Sequence, residues 1–253
     1  MSFLHKSRNI FKCNYNQYRW FTTTKDNISS KKLNKYSSVI TDTSEGNPCG
    51  PGQAFLHGTG ISFDELSLPQ VGIVSMFWEG NPCNMHLGSL QDKVHDSIKL
   101  SKEFIPRNFY TIGISDSLSQ NNSGMRYSLP SRDIIADSIE MQVAGSHYDS
   151  VITIAGCDKN MPGCIMALAR LNRPGFMIYG GAIKPGLSNR NELCCYENDN
   201  NKQNRVYYID DNQFEIDIKE TLESYADYVS GKISLNDRMK ILKTVIPGPG
   251  GCG

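Results

Sequence analysis

Val151-Ile152-Thr153-Ile154-Ala155-Gly156-Cys157-Asp158-Lys159-Asn160-Met161-Pro162 decides how the rest of the chain reads. Its first five residues are a β-branched run without polar alternation, as expected of a strand covered on both faces. Gly156 ends that run, and three chemically able side chains follow at once. Pro162 suits the first position of a helix that continues through Ile165, Leu168, Ala169 and Asn172.

The same order of strand, functional loop and helix recurs on either side. Upstream, Val71 to Met76 is a strand, Gly80-Asn81-Pro82-Cys83-Asn84 a loop, and Leu87, Leu90, Val94 and Ile98 one face of a helix. A second strand is predicted over Phe109 to Ile114, ending at Ser115-Asp116. After a polar stretch, Arg132 to Val143 carries Ile135, Ile139 and Val143 at four-residue steps, with Ser131 as its N-cap. Phe176 to Tyr179 forms a fourth strand before Gly180-Gly181.

Apolar strands alternating with amphipathic helices predict an α/β fold with a mostly parallel sheet flanked by helices. In such sheets the loops after the strands gather at one edge, where ligands bind. Cys83, Asp116, Cys157, Asp158 and Lys159 all occupy such loops.

Outside this repeat the chain changes character. Residues 1–25 hold Lys6, Arg8, Lys12, Arg19 and Lys25, several hydroxyl residues and no acid, which reads as a mitochondrial transit peptide, with a tether to about residue 38. Cys13 falls in that leader. The α/β domain is then expected over 39–253, with a polar, Asn-rich insertion over about 187–214 containing Cys194-Cys195, taken as ordinary thiols. Ile218 to Val229 is a helix stopped by Gly231, and Ser234 with Asp237 resembles a capping box opening another.

Composition narrows the function. The chain has 253 residues, 39% hydrophobic and 21% charged, with 26 Lys+Arg against 26 Asp+Glu. That balance argues against a nucleic-acid partner, and no apolar stretch approaches the roughly 18 residues of a membrane span. Eight cysteines are too few for a disulfide scaffold but enough for a metal or cluster site. Cys83, Cys157 and Cys252 lie far apart in the chain, each beside Gly or Pro, so a bulky ligand could approach the backbone. Three thiolates from separate loops could hold an iron–sulfur cluster with one open iron acting as a Lewis acid. Asp116 and Asp158 suit a hard cation such as magnesium. Lys159 beside them makes sense as an ion-pair partner or, if modified so that its cation becomes an anion, as a ligand. On residue chemistry alone, buried cysteines and surface acids remain the alternative.

Gly80-Asn81-Pro82-Cys83-Asn84-Met85-His86, Gly124-Met125-Arg126-Tyr127-Ser128-Leu129-Pro130-Ser131-Arg132, Ile134 to Glu140, Gly156 to Gly163 and the closing Pro249-Gly250-Gly251-Cys252-Gly253 resemble the dihydroxy-acid and phosphogluconate dehydratase family. The resemblance runs from about Tyr36 to the last residue. It implies Cys83, Cys157 and Cys252 as cluster ligands, with a [2Fe-2S] cluster favoured by the cysteine at 83 and [4Fe-4S] as the alternative. It implies Asp116, Asp158 and carbamylated Lys159 as ligands of Mg2+. The wording of the motifs is closer to the branch that dehydrates 2,3-dihydroxy-3-methyl carboxylic acids to 2-keto acids in valine and isoleucine biosynthesis than to the sugar-acid branch.

Members of this family are longer, and their remaining part carries a further acidic magnesium ligand, a serine base and a second, β-rich domain. No catalytic base is therefore assigned here, to Ser128 or Ser131 included. The chain is expected to be the N-terminal portion of a mitochondrial-matrix hydro-lyase, a homodimer at full length, and inactive alone. Two alternatives are an aldonate dehydratase and a non-catalytic cluster- or metal-binding fragment.

Overall fold

The computed structural model describes residues 34–44, 46–189 and 213–251. The leader, Cys194-Cys195 and Cys252 lie outside the described residues. In chain order the elements are α1 (Ser38–Thr41), α2 (Gly50–Gly58), β1 (Gln70–Ser75), α3 (Leu87–Ser101), β2 (Ile105–Tyr110), α4 (Asp116–Ser119), α5 (Ser128–Gly145), β3 (Ser150–Ala155), α6 (Asn160–Leu171), β4 (Gly175–Tyr179), β5 (Gly186–Asn189), β6 (Gln213–Ile216), α7 (Lys219–Val229) and α8 (Leu235–Thr244).

The main sheet is entirely parallel, ordered β2-β1-β3-β4. Successive side chains of a strand point to opposite faces, and the two faces are covered by different helices. Val71 and Ile73 of β1 and Ile152 and Ile154 of β3 pack with Leu87, Leu90, Val94 and Ile98 of α3. Val74, Val151 and Ala155 point the other way, onto Ile135, Ile139 and Val143 of α5 and Cys164 and Ala167 of α6. Ile135, Ile139 and Val143 are fully buried, each contributing about 1.5–3 kcal/mol relative to exposure. A smaller core joins Phe214 and Ile216 of β6 to Ile233, Ile241 and Val245. No helix among the described residues is long and apolar enough to cross a membrane.

Several boundaries differ from the sequence reading. The second strand is Ile105–Tyr110 and not 109–114. It lies at the sheet edge, where Pro106 can be accommodated. α5 begins at Ser128, so Ser131 lies inside its first turn and is not the N-cap; its Oγ donates to the Ser128 carbonyl at 2.6 Å. α6 begins at Asn160, ahead of Pro162, and Asn172 closes it with a left-handed φ of 46°. The two ends of the expected insertion pair as the antiparallel strands β5 and β6. The fold also reaches back into the expected tether, where the Tyr36 and Ser37 N–H groups both donate to Asp149. At the other end, the Ser234 cap of α8 has the expected form, its Oγ accepting from Asp237 N, and Gly231 follows α7 with φ 75°.

Candidate metal centre

Chain order reverses between β1 and β3, since β2 flanks β1 on one side and β3 lies on the other. The crevice beyond the carboxyl ends at such a switch point is the expected ligand site. β1 leads into the Cys83 loop, β2 into Ser115-Asp116, and β3 into Cys157-Asp158-Lys159.

The two cysteine loops touch. A Cβ on Gly156 would run into the backbone carbonyl oxygen of Cys83, so only glycine permits this approach. Cys83 and Cys157 are each 2% exposed. The closing segment reaches the same place: Gly250 N donates to Pro82 O at 3.0 Å and Gly251 N to Gly181 O at 2.7 Å. A Cβ on Gly251 would lie 2.9 Å from the Gly156 carbonyl. The two residues before Cys252 are thus held against the loops of the other cysteines, Gly250 at the Cys83 loop and Gly251 at Gly156. Cys252 itself is outside the described residues.

The acids meet a short distance along the crevice. Lys159 Nζ donates to Asp116 Oδ2 at 2.6 Å and also to Asp158 Oδ2. Ser128 Oγ, buried at the start of α5, donates to the other oxygen of Asp116. Burial pushes the Asp116 carboxyl upward, but the hydrogen bonds from Lys159 and Ser128 outweigh it and hold the carboxyl below its ordinary range. Hydrogen bonds to Asp116 and then Asp158 raise the Lys159 ammonium above its usual value. All three sequence-selected residues therefore converge.

Among the described residues, no group of three or more His, Cys, Asp or Glu side chains is placed to hold a metal ion. The donor set is two carboxylates and an amine. As an ammonium, Lys159 occupies the point on which both acids converge and offsets one of their two negative charges. As a carbamate, the same side chain supplies oxygen and negative charge there, giving three anionic oxygen donors of the kind magnesium takes. The residues fit the cation in that form of Lys159.

Sequence reasoning missed a buried amide network linking these loops. Asn81, Asn84 and Asn160 are at most 2% exposed. Asn81 Nδ2 donates to Asn84 Oδ1 at 2.6 Å and approaches Cys157 Sγ at 3.7 Å, while Ser115 Oγ donates to Asn81 Oδ1 at 3.2 Å. Asn84 Nδ2 donates to the Met76 carbonyl and to Asn160 Oδ1. Asn160 Nδ2 is a buried donor with no partner, which is compatible with a ligand on the cysteine side of the crevice. The signal available in sequence was that two of the three amides flank Pro82-Cys83.

Comparison with known proteins supports one family throughout. Residues 68–253 match the family model described as dihydroxy-acid/6-phosphogluconate dehydratase N-terminal. The chain is 43% identical over 233 residues to a mitochondrial dihydroxy-acid dehydratase of Schizosaccharomyces pombe, covering 92% of this chain and 35% of that protein. It is 45% identical over 224 residues to the chloroplastic dihydroxy-acid dehydratase of Arabidopsis thaliana, covering 88% and 32%. Against a dihydroxy-acid dehydratase of Francisella tularensis identity is 44% over 223 residues, covering 88% and 35%. The chain spans about a third of the length of these curated relatives. With its parallel sheet, strand-end loops and matched segment, the chain belongs to the dihydroxy-acid/6-phosphogluconate dehydratase family, of which it carries the N-terminal region.

Proposed function

We propose that this chain forms the cluster- and magnesium-binding part of a hydro-lyase converting 2,3-dihydroxy-3-methyl carboxylic acids to 2-keto acids in branched-chain amino-acid biosynthesis. The observation that carries this reading is the convergence of Asp116, Asp158 and Lys159 beside the touching Cys83 and Cys157 loops. Relatives named dihydroxy-acid dehydratase favour the substrate class. The mitochondrial name of the Schizosaccharomyces pombe relative favours the matrix as its location, in line with the basic leader.

Cys83, Cys157 and Cys252 would ligate a [2Fe-2S] cluster, and Asp116, Asp158 and carbamylated Lys159 would hold Mg2+. When bound, these groups supply Lewis acids that stabilise an enolate and the departing C3 hydroxyl. The chain's own residues do the positioning. Ser128 fixes one oxygen of Asp116 and leaves the other directed at Lys159. Carbamylation of Lys159 joins its neutral amine to carbon dioxide and releases one proton, replacing a cation by an anion between two acids. The sheet edge then presents oxygen donors on one side and thiolates on the other, bracketing a small hydroxy acid where negative charge develops. Proton abstraction at C2 is assigned to no residue of this chain.

The test is anaerobic purification with iron, sulfide and magnesium analysis, followed by assay with 2,3-dihydroxy-3-methylbutanoate and with aldonates. Formation of the keto acid from the first substrate is expected of the full-length enzyme that contains this chain, and not of the N-terminal region alone. Turnover of aldonates alone would replace the preferred substrate class, and absence of iron would remove the cluster from the reading.

A further inference from the structure

The buried amide network has a fixed polarity that can be read without seeing a hydrogen. The Met76 carbonyl can only accept, so the atom of Asn84 at 2.5 Å from it is the Nδ2 donor. Asn84 must then present Oδ1 to Asn81, 2.6 Å away. An oxygen there requires Asn81 to answer with its Nδ2, and that same Nδ2 faces Cys157 Sγ at 3.7 Å. The opposite end of the Asn81 amide accepts from Ser115 Oγ at 3.2 Å. Ser115 Oγ also accepts from Leu118 N, capping the turn that begins with Asp116. Asn81 is 2% exposed and Ser115 equally buried, so water does not compete for these bonds.

From this geometry we infer that Asn81 is a positioning residue joining the two halves of the centre: its amide N–H tunes the Cys157 sulfur, while its carbonyl steadies the Asp116 turn through Ser115. The inference rests on the cluster reading above and goes beyond it, because it assigns an electronic role to a residue that ligates nothing. Hydrogen bonds to a ligand sulfur draw off charge and favour the reduced cluster; their loss lowers the potential. A bond to a charged acceptor is among the stronger kinds.

The experiment is a dye-mediated reductive titration of the cluster in the protein reconstituted with iron and sulfide. Asn81→Leu keeps the approximate size and removes the donor. Reduction is expected to become about tenfold less favourable, a potential about 59 mV lower for a one-electron couple. Asn81→Asp, which keeps an acceptor for Ser115, is expected to move in the same direction. Ser115→Ala leaves the amide in place without its anchor, so a smaller fall is expected together with weaker Mg2+ binding by calorimetry. Iron and sulfide missing from wild type would overturn the cluster reading itself. A wild-type cluster with unchanged potentials in the variants that load would overturn the Asn81 assignment alone. A purely structural Asn81 would lower cluster occupancy without moving the potential of the clusters that form. Should neither Asn81 variant load, a Ser115→Ala potential equal to wild type overturns the assignment.

Discussion

Lys159 Nζ donates to Asp116 Oδ2 at 2.6 Å, although the two residues lie 43 positions apart and follow different strands. A parallel sheet makes this meeting possible, because the loops after β2 and β3 open on the same edge. The pair is also a chemical conflict. An ammonium between two carboxylates is satisfied as an ion pair, yet it excludes a second cation from the same point.

That conflict gives the first prediction. Lys159→Arg keeps a positive charge but cannot be carbamylated, and its planar fork does not reproduce the geometry of an amine. In the full-length enzyme, magnesium-dependent turnover should vanish while the visible absorption of the proposed cluster persists. With 13C-bicarbonate, wild type should give a carbamate carbon signal and the variant none. Unchanged turnover in the variant would refute the role given to Lys159.

Cys157→Ala should remove both iron and visible absorption, because a buried thiolate is lost from a site the chain has already shaped around it. Absorption near wild-type intensity would show that Cys157 is not a ligand. Measuring iron and sulfide alongside the spectrum separates loss of the cluster from loss of the fold.

Much of the fold was legible because the sheet is parallel and its central strands are covered on both sides. β1 and β3 are β-branched runs with a polar loop and a helix after each, and the pattern puts the start of each within a residue of the observed one. The edge strand departs from the sequence pattern for a physical reason. Pro106, Arg107 and Asn108 look like loop, whereas Phe109 to Ile114 looks apolar. An edge strand tolerates proline and polar side chains, and the chain beyond Tyr110 turns away to form the site. The ligand candidates were readable from strand-end placement. The asparagines were not, since an amide in a polar loop has no distinctive pattern until tertiary contacts bury it.

Gly156→Ala tests the contact between the cysteine loops. The added methyl would meet the Cys83 carbonyl, a backbone atom that cannot rotate away. Overpacking of this kind costs about 1–3 kcal/mol. The main effect should be separation of the two thiols, seen as greatly reduced iron uptake with far-UV circular dichroism retained. Normal iron content would show that the loops tolerate a wider spacing than the structure has.

Asp149 holds the start of the fold in place. Its Oδ1 accepts from Tyr36 N and Ser37 N at 2.7 and 3.0 Å, and its Oδ2 from Gln70 N at 2.9 Å. The carboxylate is 5% exposed. Asp149→Ala would leave buried donors unpaired, at about 1–3 kcal/mol for each group that water cannot reach. Urea denaturation should show that loss, and limited proteolysis should cut near residue 36 well before the sheet. Wild-type resistance there would mean the segment is held by its other contacts, the stacking of Arg173 on the Tyr36 ring among them.

Cys164 supplies a pH dependence separate from the proposed metal site. It is fully buried against Met76, with its thiol pushed up to about 12 by desolvation, partly opposed by a hydrogen bond with Thr153. In the unfolded chain the thiol ionises near its ordinary value of about 8.5. Between that value and about 12 the folded state keeps a proton the unfolded state has lost. The stabilisation from this group is therefore complete below the unfolded value and declines as pH rises toward the folded one. The decline should be about 1.4 kcal/mol per pH unit. Cys164→Ala should flatten the fall in urea stability across that alkaline window while costing some packing at neutral pH. A slope identical to wild type would show that another group controls alkaline unfolding.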